Sequence, residues 1–262
     1  MQANQKICLL GDAAQALPAI CTPTILDTEI HRHAAYYAPA QHSRLGQLGA
    51  QWLGRCAQNR RAVLQPDFPQ CTAEALHGYT AAAARYGWHA TLKAPFALQS
   101  GLEIDAIPAA FKAFAQTQTA LSLPPLTLRN MGDYLALVPA TTNSALQELA
   151  FDCVRALHPL AKPLSDTQIA QRRLTPLTPA QDAMLLQWGY PFVGDQFQWH
   201  MTLTGSLRKL TRSEVRGLQE AAQDWFSPVL NQPAELDAIC WFVEPVAGGD
   251  FYEAQRFALG RV

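Results

Sequence analysis

Two short runs carry residue types suited to acid–base chemistry on a phosphate ester: Trp88-His89-Ala90-Thr91-Leu92 and Trp199-His200-Met201-Thr202-Leu203. A single His-x-Thr-Leu is a weak signal. Two copies, each led by Trp and each followed by the same order of elements, are a candidate internal duplication. On a strand, alternate side chains point to the same side. His89 then shares a face with Thr91, and His200 with Thr202, while Ala90, Leu92, Met201 and Leu203 turn to the core. Two imidazoles flanking one centre suit cleavage of a phosphodiester. A neutral ring takes the proton of the attacking water or hydroxyl, and the opposite imidazolium protonates the leaving oxygen. Histidine suits both tasks because its ordinary pKa, about 6.5, lies near working pH. The threonine hydroxyls can donate to non-bridging oxygens and counter charge as it develops. Nothing in the sequence says which histidine is the base.

Four residues beyond each histidine the copies differ. Lys93 lies on the predicted face of His89 and Thr91, placed for an oxygen of the reacting phosphate or for a second phosphate; its counterpart is Thr204. Zinc is the competing reading of paired histidines. It needs about three protein ligands, and threonine is a poor one. The sequence has no His-Glu-x-x-His, and its one His-x-His, at His31 and His33, reads as the solvated start of a strand. No metal or other cofactor is expected.

The elements that must position these residues follow from periodicity and turn signals. Residues 33–38 read as a strand ended by Pro39, and Ser43 to Leu53 as a helix with Gly54 behind it. The first motif opens a strand to about Leu98. A helix from Ile104 to Thr119 follows, then strands 126–131 and 134–138 around Gly132-Asp133. The second half repeats the plan: a strand over 197–204, a helix from about Ser213 capped by Thr211 and Glu214, and strands 236–243 and 251–259 around Gly248-Gly249. Between the halves lie helices over 143–158 and from Thr178, whose Pro179 and Gln181 mark a start and Gly189 a stop. Residues 55–85 are ambiguous, and 1–30 show no clean period.

Composition sets bounds. The 262 residues are 49% hydrophobic and 16% charged, with a net charge of 20 − 21 = −1. Disorder throughout is excluded. So is a life on duplex nucleic acid, which needs a strong basic surface. No apolar stretch reaches the roughly 20 residues of a membrane helix, so no membrane partner is expected. Gly-x-x-x-x-Gly-Lys-Ser/Thr, Gly-x-Gly-x-x-Gly and Gly-x-Ser-x-Gly are all missing. The six cysteines are irregularly spaced and read as reduced core residues of a cytoplasmic protein.

The paired motifs and shared element order, over about residues 86–260, resemble the 2H phosphoesterase superfamily. Arg85 to Phe96, Leu174 to Gln181, Trp188 to Phe192 and Phe197 to Gly205 are similar to its branch named for bacterial phosphonate-utilisation operons. Tyr36-Tyr37-Ala38-Pro39 and Trp52-Leu53-Gly54-Arg55 extend that resemblance back to about residue 33. It implies an α+β, bilobal fold, with two mainly antiparallel sheets facing a central cleft and helices outside. Residues 1–30 are then an N-terminal extension, and lobes of about 31–142 and 143–262 form one domain. It also implies His89 and His200 as the acid–base pair and Thr91 and Thr202 as phosphate holders. Lys93, Thr204, Arg172, Arg173, Tyr190 and Tyr36 are the candidate substrate contacts. The expected activity is metal-independent opening of a small cyclic phosphate or phosphodiester, on a nucleotide or ribose phosphate, by a monomer. The alternatives are a protein that binds a nucleotide or sugar phosphate without turnover, and a cyclic phosphodiesterase of RNA ends.

Overall fold

The computed structural model describes residues 30–260. The expected extension up to residue 29, with Cys8 and Cys21, lies outside the described residues. In chain order the elements are β1 (Arg32–Tyr37), α1 (Arg44–Leu53), β2 (Arg55–Cys56), β3 (Arg61–Ala62), α2 (Ala73–Ala84), β4 (Ala90–Phe96), α3 (Ala106–Thr117), β5 (Leu121–Leu123), β6 (Leu126–Asn130), β7 (Leu135–Pro139), α4 (Ser144–Leu157), α5 (Asp166–Arg172), α6 (Pro179–Trp188), β8 (Met201–Thr202), α7 (Arg212–Phe226), β9 (Ala234–Leu236), β10 (Ala238–Glu244) and β11 (Tyr252–Ala258).

Local chemistry sets the helix ends. Ser43 caps α1 by accepting from Gly46 N–H, and Gly54 leaves it at φ 72°, a conformation that glycine adopts without strain. Reciprocal capping boxes start α6 (Thr178 with Gln181) and α7 (Thr211 with Glu214). Seven strands form one antiparallel sheet in the order β11-β10-β1-β4-β8-β7-β6. Both faces are covered. Ala35 and Tyr37 pack with Leu92, Phe111, Cys153 and Phe226 on one side. Ala34, Tyr36 and Ala38 pack with Cys240, Phe242 and Phe251 on the other.

The sheet is two antiparallel sets that meet at a single residue pair. β11, β10, β1 and β4 form one set and β8, β7 and β6 the other, joined where Ala90 pairs with Met201. Beyond that pair β8 ends, and β4 runs on to Phe96 without it. This is the expected α+β architecture, with the two sets fused at their point of contact. Each C-terminal hairpin is exchanged: the first motif strand stands with β10 and β11, and the second with β6 and β7. The strands therefore do not segregate at residue 142.

Other expectations change too. The strand expected over 197–204 is only Met201–Thr202, because residues on either side leave the ladder. The ambiguous 55–85 region holds α2, and α5 and the β5–β9 pair carry no clear sequence signal. His33 is not solvated: it is 1% exposed and accepts a hydrogen bond from the Trp241 indole at 3.2 Å. Cys56, Cys71, Cys153 and Cys240 are buried free thiols. No helix among the described residues is long and apolar enough to cross a membrane.

Candidate active site

The pair Ala90–Met201 fixes the geometry of both motifs. Both side chains are fully buried, as are Leu92 and Leu203, so the intervening residues face the other way. In an antiparallel ladder the neighbours of a pair face each other crosswise. His89 therefore stands across from Thr202, and Thr91 across from His200. One residue pair thus acts as the local twofold centre of a four-cornered arrangement, two imidazoles and two hydroxyls, on one face of the sheet.

Each ring is oriented in the same way. His89 Nδ1 lies 2.9 Å from the Gly87 carbonyl and His200 Nδ1 lies 2.8 Å from the Gln198 carbonyl, each two residues back. A carbonyl only accepts, so each Nδ1 carries the proton and each Nε2 presents its lone pair. Thr91 Oγ1 sits 3.3 Å from His89 Nε2. Tyr36, paired with Thr91 across β1, stacks flat on His89 at 3.8 Å, while Tyr134 tilts against His200 at 5.6 Å. Burial holds the His89 pKa down at about 4; the Gly87 carbonyl offsets part of this, and the nearby His200 lowers it again. Burial also lowers His200, against the raising effect of the Gln198 carbonyl. Both rings are neutral near pH 7 in the free protein.

The two pairs open on one cleft with a volume of about 1590 Å³, and Tyr36, Tyr86, Tyr134, Tyr190, Arg32 and Arg172 line it as well. Burial raises the Tyr36, Tyr134 and Tyr190 phenols, Tyr190 to about 12. They remain neutral O–H donors at any working pH. Arg32 is held by Glu244, a fully buried carboxylate that also binds Arg85 and the Gly248 N–H. Among the described residues Arg172 hydrogen-bonds the Gln168 carbonyl, at 3.4 Å, and Arg32 is near enough to repel it electrostatically. Two cations facing one cleft favour an anion there. Arg32, Tyr86 and Tyr134 were not singled out in the sequence, although Tyr86 lies three residues before His89 and Tyr134 just past the Gly132-Asp133 turn.

Three expected contacts are placed differently. The register between β1 and β4 shifts after the Tyr36–Thr91 pair, so Lys93 pairs with Ala35. That bulge turns Lys93 to the helix-covered face, away from the face of His89 and Thr91. Thr204 is 1% exposed and its hydroxyl accepts from Leu135 N–H at 3.0 Å, pinning the start of β7. Arg173 points out of the cleft into a two-pronged pair with Asp182, at 2.7 and 2.8 Å. Among the described residues no three His, Cys, Asp or Glu side chains converge as a metal-ligand set.

A family model described as a protein of unknown function, DUF1045, matches residues 91–252. The chain belongs to the DUF1045 family. This DUF1045 chain is 34% identical over 250 residues to a protein of Janthinobacterium sp. (strain Marseille) named ribose 1,5-bisphosphate phosphokinase PhnN, a match covering 94% of the chain and 54% of that protein. A protein of the same name from Laribacter hongkongensis (strain HLHK9) is 38% identical over 223 residues, covering 84% and 50%. The DUF1045 chain thus spans about half the length of these relatives. Similar solved structures include a phosphoesterase (14% identity, TM-score 0.43) and E. coli LigT complexed with 3′-AMP (13% identity, TM-score 0.42); each match covers 88% of the chain and 99% of the other.

Proposed function

We propose that the chain is a metal-independent phosphoesterase of the 2H type, opening a small cyclic phosphate or phosphodiester with His89 and His200 as its acid–base pair. The observation that carries this reading is the register around Ala90 and Met201, which sets each imidazole across from the other motif's hydroxyl. A tetrahedral phosphate centred there meets two Nε2 atoms and two hydroxyls. His89, stacked under Tyr36 and the harder ring to charge, is the base; His200, charged as the anionic substrate arrives, is the acid. Water attacks phosphorus and gives its proton to His89 Nε2. The phosphorus–oxygen ester bond breaks, and the leaving oxygen takes the proton from His200 Nε2. Exchange with solvent restores both rings. Thr91, Thr202 and the neutral tyrosines donate to the non-bridging oxygens, with Arg172 and Arg32 supplying positive potential.

The relatives are named for a kinase of a ribose bisphosphate, which supports a phosphorylated ribose as the organic half. The chain lacks the glycine-rich Lys-Ser/Thr loop that cradles nucleotide phosphates, and the relatives named as kinases extend well beyond the matched part.

The test is turnover of 2′,3′-cyclic nucleotides and ribose cyclic phosphates in EDTA. His89→Ala and His200→Ala are each expected to lower kcat by about 10²–10⁴-fold. Full activity in both variants, or strict dependence on added metal, overturns the proposal. Saturable, stabilising binding of these compounds without product would favour a non-catalytic phosphate binder.

A further inference from the structure

We propose that Lys93 and His158 form a second anion subsite in the same cleft, taking a phosphate monoester carried by the substrate whose other phosphate lies between His89 and His200. This rests on the reading of the histidine pair as the reacting centre.

Lys93 is 4% exposed, yet among the described residues its ammonium has no acidic partner and no hydrogen bond. Its ammonium lies over the Phe96 ring, at 5.2 Å, with the buried Cys153 thiol nearby. A buried charge without a counter-charge costs stability, and methionine would fill the same space without that cost. The amine nevertheless lines the cleft. Beside it, His158 stands against the Trp188 ring at 5.0 Å, and its Nδ1 is buried with no partner. Burial lowers both, and the nearby Lys93 lowers His158 further. These two nitrogen-bearing side chains stand on different elements and line one cavity. An anion there supplies an acceptor to both.

The wider field agrees. The cleft is lined by four basic residues, Arg32, Lys93, Lys162 and Arg172, against two acidic ones, Asp133 and Asp195, and Asp133 is held by Arg208 at 3.2 Å. Along β4 the Lys93 backbone lies two residues past Thr91, and both side chains line the same cavity although the bulge sends them to different sides of the strand. The bulge that removes Lys93 from the His–Thr face is what directs it to this end of the cleft, where β8 no longer flanks β4.

The test compares equilibrium binding of adenosine 2′-monophosphate with that of adenosine 2′,5′-bisphosphate, by calorimetry. In the unaltered chain the bisphosphate is expected to bind about 10–100-fold tighter, the range of a charge-assisted contact. Lys93→Met should bring the ratio below about 3 while leaving the monophosphate affinity within twofold. His158→Phe, on another element, should cut the ratio several-fold. Thermal unfolding of Lys93→Met should be unchanged or shifted upward. A ratio near one in the unaltered chain, a ratio that survives Lys93→Met, or a large drop in the Tm of that variant overturns the subsite. His89→Ala reports separately: it should weaken both ligands equally. If it weakens neither while the Lys93-dependent ratio persists, the reacting centre is misplaced and the subsite stands.

Discussion

At the scale of single residues, the two motif histidines are set apart by how hard each is to charge. In the free protein His89 titrates at about 4 and His200 below its ordinary 6.5, both because burial penalises the imidazolium. The proposed mechanism needs His89 neutral and His200 protonated. Activity therefore rises with pH through about 4, as His89 loses its proton, and falls as His200 loses its own, at a lower pH than an ordinary imidazole would. kcat/KM reports the free enzyme. Its profile over pH 3.5–8 should be a bell with a mildly acidic optimum, and the kcat profile should extend to higher pH because bound phosphate favours the His200 imidazolium. An optimum of kcat/KM above pH 7 would contradict this assignment. These residues were legible in the sequence because a two-residue period is a local property of a strand. The true aim of Lys93 was not legible, because it depends on a bulge against β1, a register that β4 does not encode by itself. Thr204 was misread for a similar reason: its partner, the Leu135 N–H, lies 69 residues away.

At the scale of elements, Glu244 at the end of β10 ties three segments together. It is fully buried and binds Arg32 of β1, Arg85 beyond α2 and the turn N–H of Gly248. Glu244→Gln leaves one oxygen to accept, the one shared by Arg85 and the Gly248 N–H, and removes the charge that both arginines face. The arginines are only partly buried, so the cost falls below that of a fully buried broken pair, at about 2–3 kcal/mol. For a chain of this size that corresponds to a Tm lower by about 5–10 °C, read by calorimetry. Because Arg32 lines the cleft, the same variant should raise KM more than it lowers kcat; an unchanged Tm would show that the cluster is not structural. The helices of this scale were largely visible in sequence, since Ser43, Thr178 and Thr211 announce their caps. The exceptions are α2, in a stretch without a clear period, and α5, seven residues with none buried, which has no apolar stripe to reveal it. The second motif strand was overestimated because its alternation of apolar and polar residues continues past the two residues that pair.

At the scale of the whole molecule, a net charge of −1 is offset by positive potential concentrated in one cleft. That distribution suits a small anion better than a long nucleic acid, whose binding needs an extended basic track. The duplication was readable from the repeated order of strand, helix and hairpin. The exchange of hairpins between the two strand sets was not, because pairing partners far apart in sequence leave no local signature. That arrangement places both motifs, one from each half of the chain, next to each other at the centre of the sheet. The most direct measurement is a crystal structure of the chain soaked in phosphate. The account predicts one anion within about 3 Å of both Nε2 atoms and both threonine hydroxyls. A saturating soak that leaves this position empty, or an anion bound to one histidine with the other turned away, would contradict it.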